Sequence, residues 1–70
     1  MDLARCFAEN LARYRKRADI SQEELGLRAG VHRTQVGRLE RGERLPRIDT
    51  LVKLADALSV SPSDLLDRVE

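Results

Sequence analysis

The sequence predicts an all-α fold, a compact bundle of five helices, from three observations. Apolar residues recur at spacings of three and four along several stretches, the period of one helix face. Capping residues and glycines bracket those stretches. The apolar complement is aliphatic: 41% of the 70 residues are hydrophobic, with one Phe, one Tyr and no Trp, so Leu, Val, Ile and Ala must build the core.

Asp2 is the N-cap of a first helix reaching residue 17, whose Leu3, Phe7, Leu11 and Tyr14 make one stripe at spacings of four, four and three. Ser21 caps a second helix, with Glu24 completing a capping box and Ile20 placed to staple against Leu25. That helix ends at Gly30, because glycine enters the left-handed conformation at little steric cost. A third helix spans residues 33–41, before Gly42. Pro46 stiffens the next loop, and a fourth helix over residues 47–59 turns Ile48, Leu51, Leu54, Ala55 and Leu58 inward. Ser61, Pro62 and Asp64 form an N-cap, a first-position proline and a first-turn carboxylate, opening a fifth helix that carries Leu65, Leu66 and Val69.

Residues 20–42, ISQEELGLRAGVHRTQVGRLERG, therefore read as two short helices meeting at a tight turn, the layout of a helix-turn-helix DNA reader. Counting from Gln22, the fifth position is Gly26, the ninth Gly30, the fifteenth Val36 and the eighteenth Leu39. The fifth must be small because the second helix of the motif crosses there almost in backbone contact. The fifteenth and eighteenth must be apolar to bury that helix's inner face, and Leu25, Ala29 and Val31 supply the remaining inward contacts.

Seventy residues make one domain, 1–70, near the lower size limit for a self-sufficient core. No run of 18 apolar residues and no signal peptide occurs, so a cytoplasmic location and no membrane partner are expected. Cys6 is the only cysteine and has no internal partner, as in a reducing compartment. One His and one Cys provide no metal spacing, and no cofactor is implied. Cys6 and His32 are the sole candidate nucleophile and base, and no glycine-rich phosphate cradle occurs, so the chain does not read as an enzyme. Cys6, beside Phe7, reads as a structural thiol, with redox sensing near a dimer contact as the alternative.

Net charge is +1, but it is unevenly placed: residues 1–27 are neutral, residues 28–48 carry +4 and residues 49–70 carry −3. The basic block coincides with the third helix and the loop after it, where phosphate would be met.

Nearly the whole chain resembles the Cro/CI-type, phage-repressor-like helix-turn-helix regulators. The resemblance rests on LARYRKRADISQEELGLRAGVHRTQVGRLERGERLP followed by IDTLVKLADALSVSPSDLL, with its SQEEL start, RLERG exit and TLVKLADAL fourth helix. It implies a lambda-repressor-like five-helix bundle, usually a homodimer, that binds a double-stranded operator with its third helix in the major groove. It also implies a partly buried ion pair between Arg15 and Glu40, tying helix one to helix three.

On a helical wheel the outward arc of helix three holds Arg33, Thr34, Gly37, Arg38 and Arg41. Arg33, Thr34 and Arg38 match the base-contacting positions of the family, and arginine pairs bidentately with guanine. Gln22, at the start of helix two, matches the family's phosphate-contacting glutamine, and His32, Gln35, Arg41 and Arg44 are the further phosphate candidates. Gly37 is expected to face the groove and let the helix approach the bases. Leu58, Val60, Leu65, Leu66 and Val69 exceed what a short fifth helix needs to bury, so a dimer interface is expected among them. The brevity of the chain favours a free-standing dimeric switch, such as a phage-type repressor or a restriction–modification controller, over an antitoxin or adaptor that grips a protein partner. Repression and activation both stay open; an activator would meet RNA polymerase, and Glu40, Glu43 and Asp49 are the candidate acids. No small-molecule ligand is evident.

Overall fold

The computed structural model describes residues 2–67, which form five helices: α1 Leu3–Arg17, α2 Gln22–Ala29, α3 Arg33–Glu40, α4 Ile48–Leu58 and α5 Pro62–Leu66. Helix α1 packs on α3 and α5, α2 packs on α3 and α4, and α4 meets α5. Every helix contributes to one buried cluster: Phe7 and Leu11, Leu25 and Ala29, Val36 and Leu39, Leu54 and Ala55, and Leu65. The bundle thereby wraps the α2–α3 pair from both sides.

The caps explain the boundaries. Asp2 accepts the Arg5 backbone N–H at 3.2 Å, and Ser21 Oγ accepts that of Glu24 at 3.0 Å. The capping box expected at α2 is only half made, because the Glu24 carboxylate accepts from Arg28 Nε at 2.8 Å rather than turning back to Ser21. At α5 the box is complete: Ser61 Oγ accepts from Asp64 N, and Asp64 Oδ2 accepts from Ser61 N at 3.0 Å. Helix α3 starts on a cap that the sequence reading did not assign, His32 Nδ1 accepting the Thr34 N–H at 3.0 Å, and ends one residue earlier than expected, with Arg41 as C-cap.

All of α1 to α4 close on a left-handed residue. Gly30 and Gly42 each have φ of 73°, but Asp19 and Ser59 adopt 61° and 58°. The Ile20 N–H then reaches Arg15 O at 3.4 Å and the Val60 N–H reaches Ala55 O at 3.0 Å, satisfying carbonyls that the helix ends would orphan.

Three expected placements differ. Leu3 is 40% exposed, since it lies at the first residue of α1, outside the cluster. Ile48, read as the start of the α4 core stripe, is 81% exposed because the buried arc of α4 begins only with Thr50 and Leu54. Leu65, expected at a dimer interface, is fully buried: α5 closes the end of the core against α1 and α4, and a five-residue helix needs that anchor. Leu58 and Val60, from the same expected set, are half-buried against the core. Leu66 is 37% exposed, and Val69 lies outside the described residues.

Cys6 has a local job in this closure. Its thiol donates to Asp67 O at 2.9 Å, while the fully buried Asn10 donates from Nδ2 to Leu65 O at 3.0 Å and accepts from Arg13 Nη2 at 2.9 Å. Together they fasten the end of α5 to α1.

Candidate nucleic-acid interface

The position of α3 is set by a backbone contact. A Cβ on Gly26 would collide with the carbonyl oxygen of Val31 and lie 3.3 Å from the Arg33 backbone nitrogen. Neither atom can retreat without separating the helices, so glycine is what permits this crossing. Val36 and Leu39 then have no exposed surface, which fixes the rotation of α3 about its own axis. Its other side, carrying Arg33, Thr34, Gln35 and Arg38, is exposed.

An ion pair locks the same helix from behind. Arg15 Nε and Nη2 donate to the two carboxylate oxygens of Glu40 at 2.6 and 3.0 Å, and Arg15 Nη1 donates to Ile20 O at 2.9 Å. The side chains are only 13% and 7% exposed. The hydrogen bond to Glu40 raises the Arg15 pKa above its ordinary value against the opposing effect of burial, so the guanidinium stays charged. A bidentate, charge-assisted pair of this kind joins α1 to α3 with defined geometry.

The side chains expected to meet DNA fall on two flanks of α3. On one flank, His32, Thr34, Gln35, Arg38, Leu39 and Arg44 line a shallow groove of about 250 Å³. Thr34 and Arg38 here stand beside three of the phosphate candidates. His32 uses Nδ1 to cap α3, which leaves Nε2–H as its outward donor. On the other flank, Gln22 Nε2 donates to Glu40 Oε1 at 3.0 Å, so this glutamine is joined to the scaffold ion pair. Arg33 stands on the same side, 3.9 Å from Glu23.

Arg41, whose Nη1 reaches over Gly37 toward the Gln22 side, donates from Nε to Glu43 Oε2 at 2.6 Å. That hydrogen bond, with the neighbouring Arg38 and Arg44 charges, lowers the Glu43 pKa, so Glu43 stays ionised and partly offsets the cationic surface. Gly37, expected to open onto the groove, is instead buried in the middle of α3. The side-chain tips of Gln22 and Arg41 cover it, an arrangement that a wheel of one helix does not reveal because Gln22 belongs to α2.

Of the three acids considered for a polymerase-facing patch, Glu40 is enclosed in its ion pair; Glu43 and Asp49 are exposed but each faces an arginine, Arg41 and Arg47. Among the described residues no group of three or more His, Cys, Asp or Glu side chains is arranged to hold a metal ion, and no helix is long and apolar enough to cross a membrane.

Comparison with known proteins places this geometry in context. The helix-turn-helix family model matches residues 11–65. The control protein C.SmaI of Serratia marcescens is 44% identical over 68 residues, covering 97% of this chain and 81% of that protein. The restriction–modification controller C.AhdI from Aeromonas hydrophila superposes with a TM-score of 0.85 at 35% identity, over 89% of this chain and 94% of that one. The P22 c2 repressor, solved in complex with a synthetic operator, gives a TM-score of 0.83 at 34% identity, over 87% of this chain and 92% of the other.

Proposed function

This chain belongs to the helix-turn-helix family, whose members similar to it are DNA-binding transcriptional regulators, and we propose that it reads a near-palindromic operator as a homodimer with α3 in the major groove. The division of α3 into a fully buried apolar side and an exposed Arg-rich side is the observation that carries this reading. Arg33, Thr34 and Arg38 contact base edges, and the two arginines favour guanine in each half-site. Gln22, His32, Gln35, Arg41 and Arg44 hold phosphates on both flanks, which sets register before any base is read. The relatives include a restriction–modification controller and a phage repressor, and this chain is proposed to act in the same kind of role.

The dimer surface we propose is centred on the outer face of α4 rather than on the set Leu58, Val60, Leu65, Leu66 and Val69. Ile48 and Val52, one turn apart, are 81% and 41% exposed, and such paired apolar exposure on a bundle this small marks an association surface. Leu66, the outermost of the described α5 leucines, is the remaining contributor. Half-sites would then lie about 34 Å apart, one turn of DNA.

Selection of the purified protein against a random duplex pool at near-physiological salt tests this reading. A G-containing inverted repeat with fixed centre-to-centre spacing is the expected product. Binding without sequence preference, or none, overturns it.

A further inference from the structure

We infer that Gly37 is a positioning residue: its missing side chain makes a seat on α3 in which the tips of Gln22 and Arg41 lie, so that two phosphate-facing side chains are held together beside the reading arc. The inference rests on the DNA-reading role proposed above. A Cβ built on Gly37 would lie 3.2 Å from Arg41 Nη1 and 3.5 Å from Gln22 Oε1, and among the described residues no other atom outside its own helix comes within 4 Å apart from its chain neighbours. The glycine is therefore enclosed by these two side chains and by no rigid backbone, unlike Gly26, which abuts the Val31 carbonyl.

Chemistry fixes the orientation of the glutamine. The Glu40 carboxylate, held bidentately by Arg15, can only accept, so the amide nitrogen of Gln22 must face it and the amide oxygen must face Gly37. One N–H of that amide goes to Glu40, and the other is left as a donor for phosphate. Arg41 is steered from its opposite end by Glu43. Hydrogen bonds thus link Arg15, Glu40 and Gln22 on one side of Gly37, and Arg41 and Glu43 on the other. A methyl group at position 37 would shift the Arg41 tip slightly, and a longer side chain would displace both clamps together while leaving Arg33 and Arg38 in place.

The exposed Arg41 side chain can give by a few tenths of an ångström, so Gly37→Ala fits and improves helix propensity. Gly37→Leu fills the seat. The test measures operator dissociation constants across a salt series for wild type, Gly37→Ala and Gly37→Leu, each alone and combined with Gln22→Ala and Arg41→Ala. Thermal melts and the side-chain amide resonance of Gln22 are recorded on the free proteins.

Gly37→Leu should weaken binding about tenfold and flatten the log–log salt slope by about 0.9, one phosphate contact. In the double-alanine background the same substitution should change affinity less than twofold, because nothing remains in the seat to displace. Gly37→Ala should melt no lower than wild type, and it carries the same comparison at about threefold if the leucine variant is unfolded at the assay temperature. Equal loss in both backgrounds would mean that position 37 faces the bases directly, and no loss in either would mean that the seat is irrelevant; each overturns the inference. If wild type selects no operator the functional reading fails separately, and an unmoved Gln22 amide resonance in the free leucine variant overturns the seat on its own.

Discussion

The α2–α3 unit and the α4–α5 unit are built from similar short amphipathic helices, yet they finish their surfaces differently. In α2–α3 the inward apolar positions Leu25, Ala29, Val36 and Leu39 are buried, and the polar side chains are tied to one another by the Arg15–Glu40–Gln22 network. In α4 two apolar side chains one turn apart, Ile48 and Val52, are left facing outward, where α2–α3 leaves Leu27. The first unit has one arrangement imposed by a backbone crossing and a buried ion pair. The second has apolar surface in excess of its own core. In the function proposed above, the rigid unit is the one that would read bases, and the exposed apolar pair is the one a second copy would cover.

Breaking the buried pair should test this contrast most severely. Glu40→Ala leaves the Arg15 guanidinium poorly solvated and without its carboxylate, which should cost about 3–5 kcal/mol, enough to unfold much of a marginal domain in a chemical-denaturation titration. Gly26→Ala is next. Its methyl group meets the Val31 carbonyl, and overpacking of this kind should cost about 1–3 kcal/mol and lower operator affinity in parallel, as α3 is pushed off its seat.

Changes in α4 should behave otherwise. Ile48→Ser should alter the unfolding of the monomer by less than about 0.5 kcal/mol, since the residue is exposed. Sedimentation equilibrium should nevertheless show weaker self-association, by about tenfold for a lost apolar contact in each copy. If Ile48→Ser leaves association intact while Leu66→Ser abolishes it, the interface lies on α5 and the contrast must be redrawn. Ser59→Gly sharpens the comparison in the opposite direction: relieving the left-handed strain at the end of α4 should raise stability by up to about 1 kcal/mol and the melting temperature by about 4–8 °C. The smallest effect is expected from Glu43→Gln, which removes a negative charge from the cationic surface while keeping an acceptor for Arg41, and should modestly tighten operator binding. Wild type should show the same gain only below the usual carboxylate range, because Arg41 holds the Glu43 pKa down and the charge persists until pH falls through that lowered value.

Much of this was legible in the residues themselves. Ser21, Gly30, Ser61 and Pro62 set helix ends through local chemistry, and Gly26, Val36 and Leu39 stand at separations that only a tight helix crossing requires. Each signal acts within a few residues or within one helical period, so the linear order contains it. The ends of α1 and α4 were read close to Asp19 and Ser59, but their left-handed conformation was not, because it is costly for these residues and the tertiary fold holds them there. His32 was read as a phosphate candidate only, and its Nδ1 caps α3.

What the sequence determined alone was the helical class, the positions of the five helices and the side of α3 that is buried, since periodicity and capping are local properties of the chain. Tertiary structure decided which surplus apolar residues stay outside and what lies over Gly37. Ile48 and Leu65 have similar side chains at the ends of short helices, but only Leu65 finds a hole in the packing of α1 and α4 to fill. Gly37 is covered because Gln22, fifteen residues earlier, is brought across it by a helix crossing. Such contacts depend on the relative placement of whole helices, a quantity that no spacing within one helix encodes.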